Sequence, residues 1–285
     1  VIPGDGFWDV GNNFNWRDHY TQELSIRGDL TNFFDEKNKF KAGFNFQFQE
    51  MQYISINKPW IGELGYNNDI FKVYPATGSF YAQDNINFSG MILNFGLRID
   101  YWFPGKYVDD AVENPDVVTI PDEIRIKYKD DTFEWFGGRR FKARLSPRLG
   151  ISHPVSDNQT LFFSYGHFSK WPKPQNVYQK ISPANAQSTF QTFGNPNLNP
   201  ETSVSYELGL KTQFSSDDVL TITAYYRDIF DYITRKTAKI SSPRFSSQTY
   251  TTYINSDYSR SRGIELEYKK RIGKWFNGNA SFTYA

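Results

Sequence analysis

Residues 40–48 read Phe40-Lys41-Ala42-Gly43-Phe44-Asn45-Phe46-Gln47-Phe48, a strict alternation of apolar and polar or small side chains. Successive side chains of a β-strand point to opposite faces, so this stretch predicts a strand with one apolar face and one polar face. The alternation returns in residues 91–101, 203–211 and 276–284, and in weaker form in further segments between them. Taken together, the pattern predicts about ten strands.

Short and long links alternate between these predicted strands. The short links fall at residues 35–38, 88–90, 154–158, 215–218 and 273–274, and the long ones at 57–78, 104–142, 171–201 and 236–247. Loops beyond about 15 residues are uncommon in compact soluble domains. Short turns at one end and long loops at the other are typical of outer-membrane barrels.

The predicted fold class is therefore all-β: an antiparallel transmembrane β-barrel with long extracellular loops and short periplasmic turns. A soluble β-sandwich also alternates along its strands, with one face on the core and one in water. The barrel is favoured because the apolar faces are rich in Phe, Tyr and Leu, which suit lipid and its interfaces. Segments such as 40–56 and 248–271 are also far longer than a usual strand of about 6 residues.

Composition removes several other classes of protein. The 285 residues carry a net charge of +1 and contain no Cys, which excludes disulfides and thiolate metal sites and gives no field for binding nucleic acid. The chain is 18% aromatic with a mean hydropathy of −0.62. It contains no apolar run near the roughly 20 residues that a membrane-spanning helix needs.

The sequence shows no pattern that predicts catalysis, a metal site or a cofactor. The three histidines, His19, His153 and His167, lie far apart and lack the spacing of metal ligands. The acidic link at 104–142 lacks a calcium-binding spacing and is interrupted by Lys and Arg, so we expect a solvated loop there. We expect a protein that is not an enzyme.

Aromatic residues in the long links are candidate ligand contacts, because large rings bury much area with few rotatable bonds. The candidates are Trp60, Trp135, Phe136, Trp171 and Tyr178. The alternative is that these rings pack loop against loop or lie at the membrane interface.

One segment carries a resemblance to a known family. Residues 195–203 read Asn195-Pro196-Asn197-Leu198-Asn199-Pro200-Glu201-Thr202-Ser203, and Tyr206-Glu207-Leu208-Gly209-Leu210-Lys211 follows. This segment resembles the barrel of TonB-dependent outer-membrane receptors, particularly those of the Bacteroidetes type. Residues 95–101, 145–150, 164–166, 224–229 and 255–266 resemble further strands of the family in the same order, so the resemblance covers about residues 20–285.

The resemblance assigns structural roles to a set of motif positions: Asn195, Pro196, Leu198, Pro200, Glu201, Glu207, Gly209, Gly263 and Glu265. Asn-Pro pairs end a loop and favour extended geometry where the chain enters a strand. Gly209 and Gly263 are expected on the lumen side, where they would allow close approach of a plug or another backbone. The sequence offers no physical reason for the two glutamates Glu201 and Glu265.

The resemblance also implies a domain organisation. Family members have an N-terminal plug domain and a barrel of about 22 strands around it. We expect residues 1–285 to form a partial barrel domain, with 1–19 as a loop, 20–285 as strands and loops, and no plug domain. The sequence is therefore expected to be a piece of a larger receptor.

The function that the resemblance implies is uptake of a scarce nutrient, such as a metal chelate or an oligosaccharide, across the bacterial outer membrane. The implied partners are outer-membrane lipid, the small-molecule or oligosaccharide ligand, and the inner-membrane TonB energy-transducing complex acting through a plug. No nucleic acid and no cofactor are expected. Two other functions stay open: a passive pore or adhesion barrel in the outer membrane, and a soluble all-β carbohydrate-binding module.

Overall fold

The computed structural model describes residues 15–57, 66–182, 192–239 and 249–285. The strands are β1 (Asn15–Phe33), β2 (Asn38–Asn57), β3 (Tyr66–Val73), β4 (Ala76–Phe88), β5 (Met91–Phe103), β6 (Phe133–Trp135), β7 (Arg139–Ser156), β8 (Gln159–Lys170), β9 (Thr192–Phe193), β10 (Glu201–Ser215), β11 (Asp218–Lys239), β12 (Thr249–Ile272) and β13 (Phe276–Tyr284). The α-helices are α1 (Lys106–Glu113), α2 (Asp122–Asp131) and α3 (Pro174–Tyr178).

Ten of the strands form one continuous sheet in the order β1-β2-β4-β5-β7-β8-β10-β11-β12-β13, and the short strands β3, β6 and β9 pair with β2, β7 and β12. Every neighbouring pair along the ten-strand path is antiparallel. The predicted antiparallel all-β fold is confirmed. Strand β1 begins at Asn15, inside the stretch expected to be a loop, because residues 15–20 pair with the far end of β2.

The predicted alternation of links is also present. Short connections at residues 34–37, 89–90, 157–158, 216–217 and 273–275 join strands at one end of the sheet. The described parts of the long links lie at the opposite end. The link at 104–142 differs from the expected solvated loop, because it folds into α1 and α2 around buried side chains such as Val108, Val112 and Tyr128.

The apolar side chains of the strands line up on one face. In register, Phe44, Phe80, Ile99 and Leu145 follow one another across β2, β4, β5 and β7. A second row continues across β8 to β13, formed by Leu161, Leu210, Ile222, Leu266 and Phe282. Many of these side chains are exposed to the surroundings. An apolar outer face of this kind is what a membrane barrel turns towards lipid.

Exposed rings stand at the end of the sheet that carries the short turns. They are Phe33, Phe34, Phe88, Phe214, Trp275 and Phe276, and the side chain of Trp275 is 95% exposed. Aromatic rings gather where a membrane meets water, so this row marks one boundary of the apolar face. Among the described residues, none of the helices has the length and hydropathy needed to cross a membrane.

The buried core lies at the end with the long links and not between two layers of sheet. We call this cluster the loop core; its members are Phe71, Val73, Trp102, Val108, Ala111, Val112, Val117, Ile120, Tyr128, Val177, Tyr178, Ile181, Leu198 and Tyr253. These residues come from strands, from helices and from the segments between them, and they are spread along the chain from Phe71 to Tyr253. The loop core therefore joins the described parts of the links at 57–78, 104–142 and 171–201 over one end of the sheet.

Candidate functional site

The polar face of the sheet is concave and borders a cavity of about 670 Å³. Residues from β1, β2, β4, β5, β7, β8, β10 and β11 line it, so it follows the inner side of most of the sheet. Its charged lining residues are Arg27, Lys41, Arg98, Arg148, Arg227 and Glu207. The lining of the cavity therefore contains five cationic side chains and one carboxylate.

Local partners balance part of that charge. Arg27 pairs with Asp29 at 2.7 Å, and Arg98 pairs with Asp100 at 2.8 Å. Arg148 lies over the ring of Phe168 at 4.6 Å from its centroid. Within the described residues, no ion pair involves Arg148 or Arg227. The cavity therefore presents a positive potential to an anionic group, and low-dielectric walls strengthen such a field.

The motif glycines of this face make room for neighbouring side chains. A Cβ at Gly209 would collide with the ring of Phe162, its register partner on β8. A Cβ at Gly263 would collide with the backbone oxygen of Tyr284 on β13 and would lie 2.8 Å from the hydroxyl of Tyr225. Both glycines lie on the concave side. A side chain fills the space beside Gly209, and the backbone at the end of β13 approaches Gly263 closely.

Replacing Gly209 with valine is expected to destabilise the sheet by about 1–3 kcal/mol, because the new side chain overlaps the ring of Phe162. The matched control is Gly150→Val on β7, where a Cβ would make only ordinary contacts of 3.6 Å or more. The measurement is the midpoint of heat unfolding on gels that separate folded from unfolded barrel. Adding Phe162→Ala should remove most of the Gly209→Val cost, and an additive double mutant would contradict the explanation.

The motif glutamates lie on this face as well. Glu207 lines the cavity and is paired in register with Ser164 and Tyr225. Glu265 stands between Thr223 and Thr283 on β12.

Residues 194–201 cross the concave side at its loop end, and we call them the Asn-Pro strap. Asn195 donates to the carbonyl of Tyr253 at 2.8 Å and accepts from the amide of Asn197 at 2.8 Å. Asn199 donates its amide to Oδ1 of Asn255 at 2.8 Å, and Asn255 donates back to the carbonyl of Asn199 at 3.0 Å. The asparagines of the motif thus bind the strap to β12.

A buried lysine holds the other side of the strap. Nζ of Lys142, on β7, donates to the carbonyl of Asn197 at 3.1 Å, to its Oδ1 at 2.8 Å and to Oδ1 of Asn199 at 3.1 Å. Asn197 in turn donates to Asp131 at the end of α2, at 2.8 Å. Leu198, Pro196 and Pro200 are fully buried. The strap therefore links β7, β12 and the helices of the loop core.

Glu201, which begins β10, has a physical role that the sequence did not reveal. The β11–β12 ladder is irregular around Ile229, Tyr232 and Ile233, and Asp231 there has a φ of 58°. Oε1 of Glu201 accepts the amide of Ile233 at 3.3 Å. The carboxylate thus accepts a hydrogen bond from a backbone amide beside the irregularity of this ladder.

Burial shifts the pKa values of ionisable groups in and around the loop core. The hydroxyl of Tyr128 donates to Oδ1 of Asp109 at 2.8 Å, and burial raises the pKa of the Asp109 carboxyl. Burial also raises the pKa of Tyr107 to about 12 and lowers the pKa of Lys180. In each case the cause is the loss of water around the charged form.

The candidate ligand rings fall into three groups. Trp60 lies outside the described residues. Trp135 and Phe136 stand at the tip before β7 with exposed fractions of 62% and 93%, and they remain predictions as ligand contacts. Trp171 packs on Trp102, with ring centroids 5.6 Å apart. Tyr178 is buried and donates to the carbonyl of Pro104 at 3.0 Å, so its ring and hydroxyl both contact protein.

Two important groups were not predicted from the sequence, Lys142 and the helices of the 104–142 link. The apolar residues Val108, Ala111 and Val112 have the spacing of one helical face, which is the signal that indicates α1. Nothing in the sequence identifies Lys142, because its partners lie 55 and 57 residues away. In the part of the chain that the structure describes, no three His, Asp or Glu side chains come together as a metal site requires.

Comparisons with known proteins give consistent results. A family model described as "TonB dependent receptor-like, beta-barrel" matches residues 3–285. An iron-regulated outer membrane virulence protein of Vibrio cholerae is 31% identical over 96 residues, which cover 32% of this chain and 15% of that protein.

Solved structures share the fold at low sequence identity. The FrpB iron transporter of Neisseria meningitidis has a TM-score of 0.56 at 12% identity, over 93% of this chain and 36% of that one. The ferric enterobactin receptor PfeA of Pseudomonas aeruginosa has a TM-score of 0.63 at 16% identity, over 93% and 35%. The hemophore receptor HasR of Serratia marcescens has a TM-score of 0.58 at 16% identity, over 95% and 42%. The chain therefore spans between about a third and two fifths of the length of these relatives.

Proposed function

Because the chain belongs to the TonB-dependent receptor-like β-barrel family of the bacterial outer membrane, we propose that the protein takes up an anionic metal chelate across that membrane. Receptors of this family bind small ligands and interact with TonB. For the present protein, energy coupling through TonB and the identity of the ligand are both parts of the proposal.

The observation that carries the proposal is the charge of the concave face. Arg148 and Arg227 have no ion-pair partner among the described residues, and only Glu207 opposes them in the cavity lining. Guanidinium groups bind carboxylates and other planar oxyanions through paired hydrogen bonds. A chelate bearing several anionic oxygens complements this lining, whereas a neutral oligosaccharide does not require it.

The names of the relatives support the same class of ligand. The Vibrio protein is iron-regulated, FrpB is an iron transporter, PfeA is a receptor for ferric enterobactin, and HasR was solved with its hemophore and heme. Together with the basic cavity, these names favour a metal chelate over the oligosaccharide. Membership of the family also favours a receptor over a passive pore or a soluble carbohydrate-binding module.

The test is ligand binding by the full-length receptor that contains this chain. The probes are a ferric tris-catecholate, which is anionic, a neutral ferric hydroxamate and a neutral oligosaccharide. The variant carrying Arg148→Gln and Arg227→Gln is expected to bind the ferric catecholate at least tenfold more weakly, because each lost charged hydrogen bond contributes about 1.5–3 kcal/mol. Binding of the neutral probes should be unchanged.

The control is Lys274→Gln in the β12–β13 turn, which removes one positive charge at the far end of the sheet. It should leave catecholate binding unaltered. A receptor that binds only the oligosaccharide, or that binds the catecholate equally well without the two arginines, would refute the proposal.

A further inference from the structure

Two arginines of β12 point to the apolar outer side of the sheet rather than to the cavity. Alternate residues of a strand share a face, so Arg262 lies on the same face as Ile264, Leu266 and Tyr268, which are exposed on the outer side. Gly263 belongs to the opposite, concave face, where it lies against Tyr225. Arg260 precedes Arg262 by two residues, lies closer to the long loops and shares the outer face. A lipid-facing arginine is costly in the middle of a membrane and is tolerated only near its surface.

The position of Arg262 along the strand places it at that surface. Lys270 stands near the short turn, where it pairs with Asp218 at 3.0 Å, and only uncharged side chains occupy the outer positions between Lys270 and Arg262. At about 3.4 Å per residue and a tilt of about 40°, these two charges lie about 21 Å apart along the membrane normal. This span approaches the roughly 25 Å apolar band of outer-membrane barrels. Arg262 therefore marks the boundary on the side of the long loops.

Aromatic side chains at the same level support this boundary. Tyr165, Tyr206, Tyr226 and Arg262 are direct register partners across β8, β10, β11 and β12. The rings of Tyr165 and Tyr206 are 5.0 Å apart, and those of Tyr206 and Tyr226 are 6.2 Å apart. Tyrosine prefers the headgroup region, where its ring contacts lipid and its hydroxyl reaches water.

The charges of this patch favour an anion. Arg260 pairs with Asp228 at 2.9 Å and lies over the rings of Tyr226 and Tyr258, at 5.3 and 5.8 Å. Within the described residues, Arg262 has no ion-pair partner. Two guanidinium groups thus meet one carboxylate, which leaves a positive charge beside an apolar surface formed by Ile264 and Leu266.

We propose that Arg260 and Arg262 bind the phosphate of a lipid headgroup in the outer leaflet, while the acyl chains of that lipid lie against Ile264, Leu266 and Phe282. The guanidinium groups supply paired hydrogen-bond donors for a phosphate. The apolar row below them supplies a surface for chains. Neither feature alone selects a lipid, but a phosphate joined to acyl chains satisfies both.

The test uses the full-length receptor in detergent, titrated with monophosphoryl lipid A and observed by native mass spectrometry. A basic residue near an anionic lipid surface contributes about fivefold in affinity, so the variant with Arg260→Gln and Arg262→Gln should bind this lipid about 25-fold more weakly. Lipid A without its phosphate should bind wild type and variant equally weakly. Lys274→Gln, at the opposite end of the sheet, should leave lipid binding unchanged.

Single variants and a competition with inorganic phosphate extend this test. If the double variant does not fold, Arg262→Gln and Arg262→Lys replace it, and the lysine variant should retain more binding because it keeps the charge. Inorganic phosphate at the concentration of the lipid should not displace it, since free phosphate lacks acyl chains. Equal binding of phosphorylated lipid with and without the arginines, or full displacement by inorganic phosphate, would overturn the proposal.

Discussion

Arg125→Met is expected to open the helical link between β5 and β7, with a loss of about 3–5 kcal/mol of local stability. The guanidinium of Arg125 donates to four carbonyls: those of Ala111 at 3.0 Å, Ile120 at 3.2 Å, Val117 at 2.6 Å, and Val112. These carbonyls lie at the end of α1 and in the turn before α2. Methionine keeps the apolar stem but leaves all four without this donor. A buried unsatisfied carbonyl costs more than an average hydrogen bond contributes.

The environment of Arg125 explains why its removal should matter more than that of other charges nearby. Its side chain is only 12% exposed, and burial lowers its pKa from the usual value for arginine. Lys127, two residues away, is 60% exposed and pairs with Glu123 at 2.7 Å. Exposed ion pairs contribute little, so Lys127→Met is the matched control and should change stability by less than about 1 kcal/mol.

The measurement for Arg125→Met is chymotrypsin cleavage at Tyr107 and Tyr128, under conditions where the segment closes faster than it is cut. Cleavage then reports the open population, so a loss of about 3 kcal/mol should speed it roughly 100-fold. Arg125→Lys should fall between wild type and Arg125→Met, because one ammonium cannot reach all four carbonyls. Cleavage of Arg125→Met at the rate of wild type would show that the apolar side chains alone hold the link.

Lys142→Met is expected to release the Asn-Pro strap, with a loss of about 3 kcal/mol. The ammonium group donates to three oxygens of Asn197 and Asn199, and its side chain is almost fully buried. Methionine fills the same space but leaves these oxygens without this donor. The control is Lys170→Met on β8, whose ammonium is exposed and lies 3.8 Å from Glu201.

Hydrogen exchange of the strap amides is the measurement for Lys142→Met. The amides of Gly194 and Asn195 bond to the carbonyls of Gln179 and Asn176, both at 2.8 Å, so they should exchange slowly in wild type. A loss of about 3 kcal/mol should speed their exchange roughly 100-fold, and Lys170→Met should leave it unchanged. If exchange is unaltered in Lys142→Met, the bonds to Asn255 and the buried prolines suffice to hold the strap.

Alternation predicted the strands because it is a local property. The side chains of residues 40–48 must point to alternating faces in any extended chain, whatever they pack against. The same reasoning placed the short turns, the polar inner face and the concave positions of Gly209 and Gly263. The motif of residues 195–211 then indicated the family, which the match over residues 3–285 confirms.

The interactions at the loop end were not predictable in this way, because they join residues far apart in sequence. Lys142 donates hydrogen bonds to Asn197 and Asn199 only because the strand order places β7 next to the strap. Tyr178 was a candidate ligand ring, yet the fold buries it beside Phe71, with ring centroids 5.7 Å apart. The role of Glu201 likewise depends on an irregularity in a different pair of strands.

The sequence by itself thus determined the ten strands of the main sheet, their two faces, the short turns and the family. The tertiary structure decided which polar groups of the links are buried, which of them hold the strap, and which arginines face the cavity or the apolar outer side of the sheet. The physical reason is that strand periodicity follows from the geometry of each residue and its neighbours, whereas burial, hydrogen bonding and charge pairing depend on which distant strands become adjacent.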